Sequence, residues 1–277
     1  MKKLLIVWTT GLLMLSACIP GQPLTSTGPG VETIVAQTLE AVTAAAPTPI
    51  MPANGLPVSY NNISFTIPLE LNASATPSTN RYVEFPYINP SNGPMPEHVV
   101  FKFTSYPVEG DAKIMVFKAS DYAAYGQPLQ EVVTALLGGQ DSVKPMSEAL
   151  IQGEFYAQRQ PLNFKNGHGV RYLTQVLTNA APITNKDLFY YYQGITTDGA
   201  YFVSAVFHVN AAFLVANSNP DSPTPPEGVP FGDPNNVDFP AYLSTVTQKL
   251  NDTPPVNYTP SLTLLDKLIE SLEVTTP

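Results

Sequence analysis

Alternating apolar and polar residues predict several β-strands along the chain. Between residues 99 and 105, Val99, Phe101 and Phe103 share one face, while Lys102 and Thr104 lie opposite. Similar patterns predict further strands at residues 59–68, 113–118, 155–164 and 170–178. Residues 72–96 and 217–240 are rich in proline and asparagine, which favours loops.

The clearest predicted element is a β-hairpin formed by residues 188–196 and 201–209. These segments flank Asp198-Gly199, a preferred two-residue turn because both positions take positive φ angles. The predicted register pairs Tyr190 with Phe207, Tyr192 with Ala205 and Gly194 with Val203. One face would carry Leu188, Tyr190, Tyr192, Tyr201, Val203, Phe207 and Val209. The other would carry Phe189, Tyr191, Ile195, Phe202 and Val206, with Gln193, Ser204 and His208 among them. Since a sheet with one hydrated face alternates more cleanly, we expect both faces of the hairpin to be covered.

Apolar residues at helical spacing predict three helices, at residues 128–137, 239–250 and 262–272. Gly138-Gly139 follows the first helix, where glycine commonly ends one. In the third helix, Asp266, Lys267 and Glu270 are expected to lie outside. Together these elements predict an α+β fold in a single domain at residues 56–277. We expect a mostly antiparallel sheet with helices on one or both faces, as in an α/β/α sandwich.

The chain begins with two lysines and a short apolar run. Lys2 and Lys3 precede the mostly apolar run Leu4–Leu15, which is shorter than the ~20 residues of a membrane-spanning helix. The run ends in Leu15-Ser16-Ala17-Cys18, which resembles the lipobox of bacterial lipoproteins. The resemblance implies that residues 1–17 are removed, that the Cys18 thiol carries diacylglycerol, and that the new amine is often acylated. The alternative is an ordinary secretory signal, but Cys18 is the only cysteine and has no partner for an internal disulfide.

Residues 18–55 are expected to form a lipidated tether rich in proline, threonine and alanine. Within it, residues 31–46 have apolar positions at helical spacing, and an isolated helix of this length is marginal in water. It would dock on the domain, on the membrane or on a second copy, or serve as a spacer without a partner. Ile19 follows Cys18, whereas an aspartate there commonly retains lipoproteins at the inner membrane. The resemblance therefore permits an outer-membrane location in an organism that has one.

The charge of the chain excludes one class of partner. The full chain carries a formal charge of −9, and removal of a signal that holds two lysines leaves −11. Nucleic-acid binding needs a basic surface, so we expect no nucleic-acid partner. Attraction to anionic lipid headgroups is also disfavoured, which leaves the lipid on Cys18 to hold the protein at the membrane.

The sequence offers few candidates for catalysis or metal binding. His98, His168 and His208 are not spaced like metal ligands, so we expect no metal site. The common serine-hydrolase, phosphate-loop and dinucleotide motifs do not occur, so we expect no cofactor and assign no catalytic residue. A pair of carboxylates that acts as in a glycosidase remains an open alternative. It would require the fold to bring together two of Glu154, Asp187 and Asp198.

The segment Asn166–Tyr172 is the best candidate for ligand binding. Its two glycines predict a tight turn that exposes His168, with Arg171 and Gln175 on one strand face and Tyr172 opposite. His168, Arg171, Tyr172 and Gln175 are therefore candidate ligands of an anion or a sugar. The alternative is a hairpin turn whose neighbours only pack, with Arg171 paired to a carboxylate. Tyr190-Tyr191-Tyr192 likewise suggests either stacking on a ligand or cross-strand packing.

The globular part has a second family resemblance. Ile63-Ser64-Phe65-Thr66-Ile67-Pro68, a helix in mid-chain, the strong hairpin and a final helix at residues 265–272 resemble the PsbP/Mog1-type α/β/α sandwich. That resemblance implies a protein that binds or assists others. Our leading hypothesis is a non-catalytic binding module for a protein or small solute at the cell envelope. The alternatives are an envelope hydrolase that uses carboxylates or His168, and a structural or assembly factor.

Overall fold

A seven-stranded antiparallel sheet forms the centre of the computed structural model. The structure describes residues 55–80, 96–139, 155–177, 179–219, 221–232 and 237–276, which belong to a compact unit at Met51–Pro277. The export signal, Cys18, the predicted helix at 31–46 and Glu154 lie outside the described residues.

The described strands form two sheets and one short pair. In chain order they are β1 Leu56–Tyr60, β2 Ile63–Ile67, β3 Ser74–Asn80, β4 His98–Thr104, β5 Ala112–Lys118, β6 Ala157–Phe164, β7 Gly167–Thr174, β8 Phe189–Thr196, β9 Tyr201–His208, β10 Asn210–Ala211, β11 Tyr258–Thr259 and β12 Glu273–Val274. The large sheet has the order β3-β4-β5-β9-β8-β7-β6, with every neighbouring pair antiparallel. A small sheet has the order β1-β2-β12, and β10 pairs with β11.

Four α-helices lie within the described part of the chain. They are α1 Ala119–Ala124, α2 Gln127–Leu137, α3 Phe239–Asp252 and α4 Leu262–Glu270. The three predicted helices are thus confirmed to within two residues at each end. The short α1 was missed, because Ala-Ser-Asp-Tyr-Ala-Ala contains no apolar stripe.

The β8–β9 hairpin has the predicted register. Tyr190 pairs with Phe207, Tyr192 with Ala205 and Gly194 with Val203. The turn itself differs from the prediction, because Gly199 has a positive φ of 70° but Asp198 does not, and the Gly199 amide donates to the carbonyl of Thr196 at 2.8 Å. Every residue of β8 is buried, which requires cover on both sides of the sheet.

Two separate apolar clusters supply this cover. On the face that carries Tyr190, Tyr192, Val203 and Phe207, called here the first face, the sheet packs with the apolar residues of α3, α4 and the small sheet. On the opposite, second face, Tyr191, Phe202 and Val206 pack with α1 and α2. The prediction of a covered hairpin is confirmed.

The start of the domain differs from the prediction. Residues 59–68 were expected to form one strand, but they contain the turn of the β1–β2 hairpin. Tyr60 pairs with Ile63, and Asn61 between them has a left-handed φ of 53°. Asparagine tolerates this conformation, so the pair Asn61-Asn62 was an overlooked turn signal.

Part of the predicted loop at residues 72–96 is also a strand. β3 pairs with β4 from Ser74 to Asn80, at one edge of the large sheet. Its sequence, Ser-Ala-Thr-Pro-Ser-Thr-Asn, contains no large apolar residue and therefore lacks the usual strand pattern. Pro77 suits this position, because proline within sheets is mostly confined to edge strands.

The turn between β6 and β7 lies earlier than predicted. Phe164 pairs with Gly167, so Lys165 and Asn166 form the turn, while His168 and Gly169 belong to β7. The glycine at position 169 serves close packing, since a Cβ atom there would lie 2.1 Å from the carbonyl oxygen of Gln193 in β8.

Candidate functional site

The four predicted ligand-binding residues do not converge in the structure. Successive residues of β7 point to opposite faces, so Arg171 lies on the first face while His168 and Tyr172 lie on the second. Gln175 lies beyond the end of β7, where its side-chain amide holds the following loop. Its Nε2 donates to the carbonyl of Pro182 at 3.0 Å, and its Oε1 accepts from the Thr184 amide at 2.8 Å.

His168 is not in an exposed turn as predicted. It is half-buried in β7, and its Nε2 lies 2.9 Å from the carbonyl oxygen of Leu136 near the end of α2. A carbonyl only accepts, so Nε2 must carry the proton in this contact. The imidazole thus helps to satisfy the carbonyl end of α2 against the sheet.

Arg171 lies in a buried ion pair on the first face. Arg171 is 1% exposed, and its Nε atom lies 3.3 Å from Oδ1 of Asp266 in α4. Arg171 also donates to Oε1 of Gln160 at 3.0 Å and to the carbonyl of Gln158. Tyr190 donates to Asp266 Oδ1 at 3.0 Å. A buried charge requires such partners. The structure thus agrees with the alternative given in the sequence analysis, in which Arg171 pairs with a carboxylate instead of binding a ligand.

The prediction that Asp266 lies on the outer face of the last helix was wrong. Its side chain is only 14% exposed and points at the sheet, whereas Lys267 and Glu270 are exposed as predicted. Burial raises the pKa of Asp266, and the nearby positive charge of Arg171 opposes that change.

Gln158 connects this ion pair to α3. It lies at a β-bulge of β6 with a φ of 53°. Its Nε2 donates to the carbonyls of Leu250 at 2.8 Å and Thr253 at 2.7 Å, which lie at the end of α3. This network therefore braces α3 and α4 against the sheet.

A second polar group lies in the core of the second face. We call it the tyrosine cluster: Tyr122 from α1, Tyr172 from β7, Tyr191 and Gln193 from β8, and Ser204 from β9. Gln193 and Ser204 are paired across β8 and β9. Tyr191 Oη accepts from Gln193 Nε2 at 3.3 Å and from Ser204 Oγ at 3.2 Å.

Three polar atoms of the tyrosine cluster have unmet hydrogen-bonding capacity. The Oη atoms of Tyr122 and Tyr172 and the Oε1 atom of Gln193 are buried and make no hydrogen bond to the described residues. An unmet buried polar group costs about 1–3 kcal/mol, and native proteins contain few of them. Ordered water commonly satisfies such groups inside proteins.

The three tyrosine hydroxyls are close enough to influence one another. Burial is the main cause that raises the pKa of Tyr122, Tyr172 and Tyr191. A negative charge on Tyr191 would raise the pKa of the other two further. All three hydroxyls are therefore protonated at neutral pH and available as donors.

Matched tyrosine variants test whether these hydroxyls lack protein partners. In protein refolded from urea and free of small molecules, Tyr172→Phe should leave the free energy of unfolding unchanged or raise it by up to about 1 kcal/mol. Tyr190→Phe removes a bond to a carboxylate and should lower it by about 1.5–3 kcal/mol. Urea unfolding curves at neutral pH measure both. An equal loss in the two variants would contradict the assignment of Tyr172 Oη as unpartnered.

The structure does not bring the two described candidate carboxylates together. Asp187 precedes β8 and Asp198 follows it, so they are separated by the length of an eight-residue strand, roughly 26 Å. A glycosidase pair needs a separation of about 5–9.5 Å. Asp187 accepts from Thr184 Oγ1 at 2.8 Å, while Asp198 accepts from the hydroxyls of Thr196 and Thr276, both at 2.6 Å.

The hydrogen bonds of Asp198 predict a change of stability with pH. The bonds from Thr196, from Thr276 and from the Ala200 amide lower the pKa of Asp198 to about 2. Because the pKa of Asp198 is lower in the folded state, its ionised form stabilises the folded protein at pH values above its unfolded pKa of about 3.9. This stabilisation is lost as the pH falls toward about 2. Asp198→Asn should flatten this acid-limb decrease in melting temperature, whereas the exposed control Asp221→Asn should not. The same decrease of melting temperature at acid pH in the natural protein and both variants would contradict the stabilising role of Asp198.

Sequence reasoning identified part of the tyrosine cluster. Gln193 and Ser204 were placed on the same face as Tyr191, but as polar residues among apolar ones rather than as a site. The alternation of β7 would also have placed Tyr172 there once its neighbours were known. Tyr122 gave no signal, because it lies on the unpredicted α1.

Comparisons with known proteins identify no relative. No protein-family model, no curated protein and no solved structure matches the chain. Within the described ranges, no group of three or more His, Cys, Asp or Glu side chains is arranged to hold a metal ion. None of the helices in this described part has the length and apolar character needed to cross a membrane.

Proposed function

We propose that the chain is a lipid-anchored lipoprotein whose domain binds a protein or small solute on the outer side of the membrane. One observation carries the location: Lys2-Lys3, the apolar run Leu4–Leu15 and Leu15-Ser16-Ala17-Cys18 occur in the order of a lipoprotein signal. The absence of another cysteine supports a dedicated use of Cys18.

Mass spectrometry of the natural protein tests this location. We expect the mature chain to begin at Cys18 and to carry the additional mass of acyl chains there. An unmodified residue 18, or residues 1–17 still attached, would overturn the proposed location. The envelope membrane that holds the protein would be identified by fractionation of the same cells.

The fold that we propose for the domain is an α/β/α sandwich of the PsbP/Mog1 type. Support comes from helices on both faces of the large sheet, with α3 and α4 on the first face and α1 and α2 on the second. Proteins of that type mostly bind or assist other proteins. This favours a non-catalytic role by analogy of fold.

The tyrosine cluster supports a binding function for the domain. The Tyr122 and Tyr172 hydroxyls and the Gln193 amide oxygen make no hydrogen bond to the described residues, so a further polar partner would satisfy them. The hydrolase hypothesis has no comparable support, since Asp187 and Asp198 are far apart and His168 contacts a helix carbonyl.

Protein extracted from its own membranes with a non-denaturing detergent tests the binding function. Native mass spectrometry should detect a copurified small molecule or protein partner. The proposal would be replaced by the hydrolase hypothesis on two results together. These are the absence of any copurified molecule or partner in native material, and hydrolysis of an envelope polymer by the purified protein.

A further inference from the structure

We propose that Asn72 carries an N-linked glycan in the natural protein. The proposal rests on the export of the chain proposed above, because the bacterial enzymes that attach such glycans act on the outer side of the membrane. It goes beyond the proposed binding function, since it assigns a covalent modification to an exposed residue outside the buried polar groups.

The chain contains four matches to the acceptor pattern of N-glycosylation, at Asn62, Asn72, Asn251 and Asn257. The pattern is Asn, then any residue except proline, then Ser or Thr, and a pattern this short also occurs by chance. The glycan replaces one proton of Nδ2 and is bulky, so it needs open space beyond the side chain. The acceptor must therefore be exposed, and the fold must not depend on its side-chain amide.

Two of the four matches join neighbouring elements through their side chains. Asn62 is half-buried, and its Nδ2 donates to the carbonyl of Thr275 beside β12. Asn251 lies near the end of α3, where its Oδ1 accepts from the backbone amide of Gln158 at 2.5 Å. A glycan on either side chain would have to fit against the element that it contacts, which disfavours both positions.

Asn72 meets both conditions. It is exposed and follows a single 3-10 turn at Leu69–Leu71, where its backbone amide donates to the carbonyl of Leu69 at 2.9 Å. Its φ of 47° is left-handed, and its side-chain amide makes no hydrogen bond to the other described residues. The backbone alone closes this turn, so a substituent on Nδ2 breaks no contact in the described part of the chain.

A carboxylate distinguishes Asn72 from Asn257, which is also exposed. Bacterial enzymes that transfer N-linked glycans commonly require Asp or Glu two residues before the acceptor. The exposed Glu70 occupies that position for Asn72, whereas Pro255 occupies it for Asn257. Pro260 also follows the Asn257 pattern directly and restricts the backbone of the residue before it. Asn72 is therefore the favoured acceptor, and Asn257 serves as an internal control.

The transfer joins the side-chain nitrogen of Asn72 to a sugar. Nδ2 forms a bond with the anomeric carbon of an oligosaccharide that is carried on a polyprenyl diphosphate. The bond between that carbon and the diphosphate oxygen breaks, and its electron pair leaves with the polyprenyl diphosphate. Nδ2 gives up one of its protons, so the product is a neutral substituted amide and the step needs no oxidant or reductant.

A glycan at Asn72 lies beside one edge of the large sheet. Asn72 is two residues before β3, the terminal strand on that side. Edge strands present backbone groups that can pair with another chain, and natural proteins commonly protect them. Leu69, at the start of the same turn, is 45% exposed. A bulky hydrophilic group at this position hinders association through the edge and through this apolar side chain.

Peptide mass spectrometry of the protein from the cells that produce it naturally tests the proposal. The peptide that contains Asn72 should exceed its sequence mass by whole sugar residues, and fragmentation should place them on Asn72. The peptide that contains Asn257 should have its sequence mass. In variants expressed in the same cells, Asn72→Asp should lose the glycan, although aspartate also tolerates the left-handed turn. Ser74→Ala and Glu70→Gln should lose it as well, while the control Ser74→Thr should retain it.

Three results would overturn the proposal. The first is an unmodified Asn72 in protein that is acylated at Cys18, which leaves the proposed location and binding function unchanged. The second is a glycan that persists in Asn72→Asp, since it must then lie on another residue such as a serine or threonine. The third is equal modification of Asn257. A chain that is not exported would remove this proposal and the proposed location together, and the mass at residue 18 distinguishes that case from the first.

Discussion

Under the proposed lipoprotein assignment, loss of acyl chains from Cys18 is expected to change the location of the protein completely. Each buried methylene contributes about 0.8 kcal/mol, so one acyl chain binds a membrane marginally and two or more hold a protein stably. A chain without residues 1–17 has a formal charge of −11, which offers no attraction to anionic headgroups that would compensate. The acyl-free chain should therefore leave the membrane.

Two variants separate acylation from signal cleavage. Cys18→Ser should abolish acylation and leave residues 1–17 attached, which intact mass measures directly. A chain with an ordinary cleavable export signal before Ile19 should appear in the soluble extracytoplasmic fraction. Ser16→Gly keeps a small residue at that position and serves as the control, with normal acylation and membrane attachment.

The contrary outcome of this experiment is specific. If the chain that begins at Ile19 remained with the membrane as completely as the natural protein, lipid would not be the anchor. Segment 31–46 or the domain would then hold the protein there. Deletion of residues 31–46 in the same background distinguishes these two possibilities.

Local sequence signals predicted the parts of the fold that depend on neighbouring residues. The register of β8 and β9 follows from the position of Asp198-Gly199 and from alternation within two eight-residue strands, so it was predicted without knowledge of other elements. The predicted cover on both faces followed from the same residues. By contrast, β3 has no apolar alternation, and its pairing with β4 provides its only signal.

Long-range partners explain the errors at candidate sites. Arg171 and Asp266 are 95 positions apart in the chain, and each looks like an exposed charged residue on its own element. The helical spacing of α4 indicates roughly which side of the helix carries Asp266. It cannot indicate that a buried cation lies opposite this residue. The glycines near His168 similarly suggested a turn, whereas the close approach of β8 requires one of them.

The buried pair of Arg171 and Asp266 leads to the largest expected loss of stability. Asp266→Ala would leave the guanidinium of Arg171 buried without its carboxylate and remove the acceptor of Tyr190. Breaking a buried pair in this way typically lowers the free energy of unfolding by about 3–5 kcal/mol. Denaturant unfolding at neutral pH measures the change. Lys267→Ala, at the next position of α4 and exposed, should change it by less than about 0.5 kcal/mol.

Replacement of both charges distinguishes a stabilising ion pair from two charges that merely require each other. The raised pKa of Asp266 means that the folded state holds this proton more tightly than the unfolded chain. Ionisation of this group therefore makes the protein less stable as the pH rises past the unfolded value of about 3.9. Burial outweighs the attraction of Arg171, so the double variant Arg171→Met/Asp266→Leu should recover most of the stability lost in Asp266→Ala. A double variant as unstable as Asp266→Ala would instead show that the polar network through Gln158 and Gln160, rather than the unpaired charge, determines how α3 and α4 pack on the sheet.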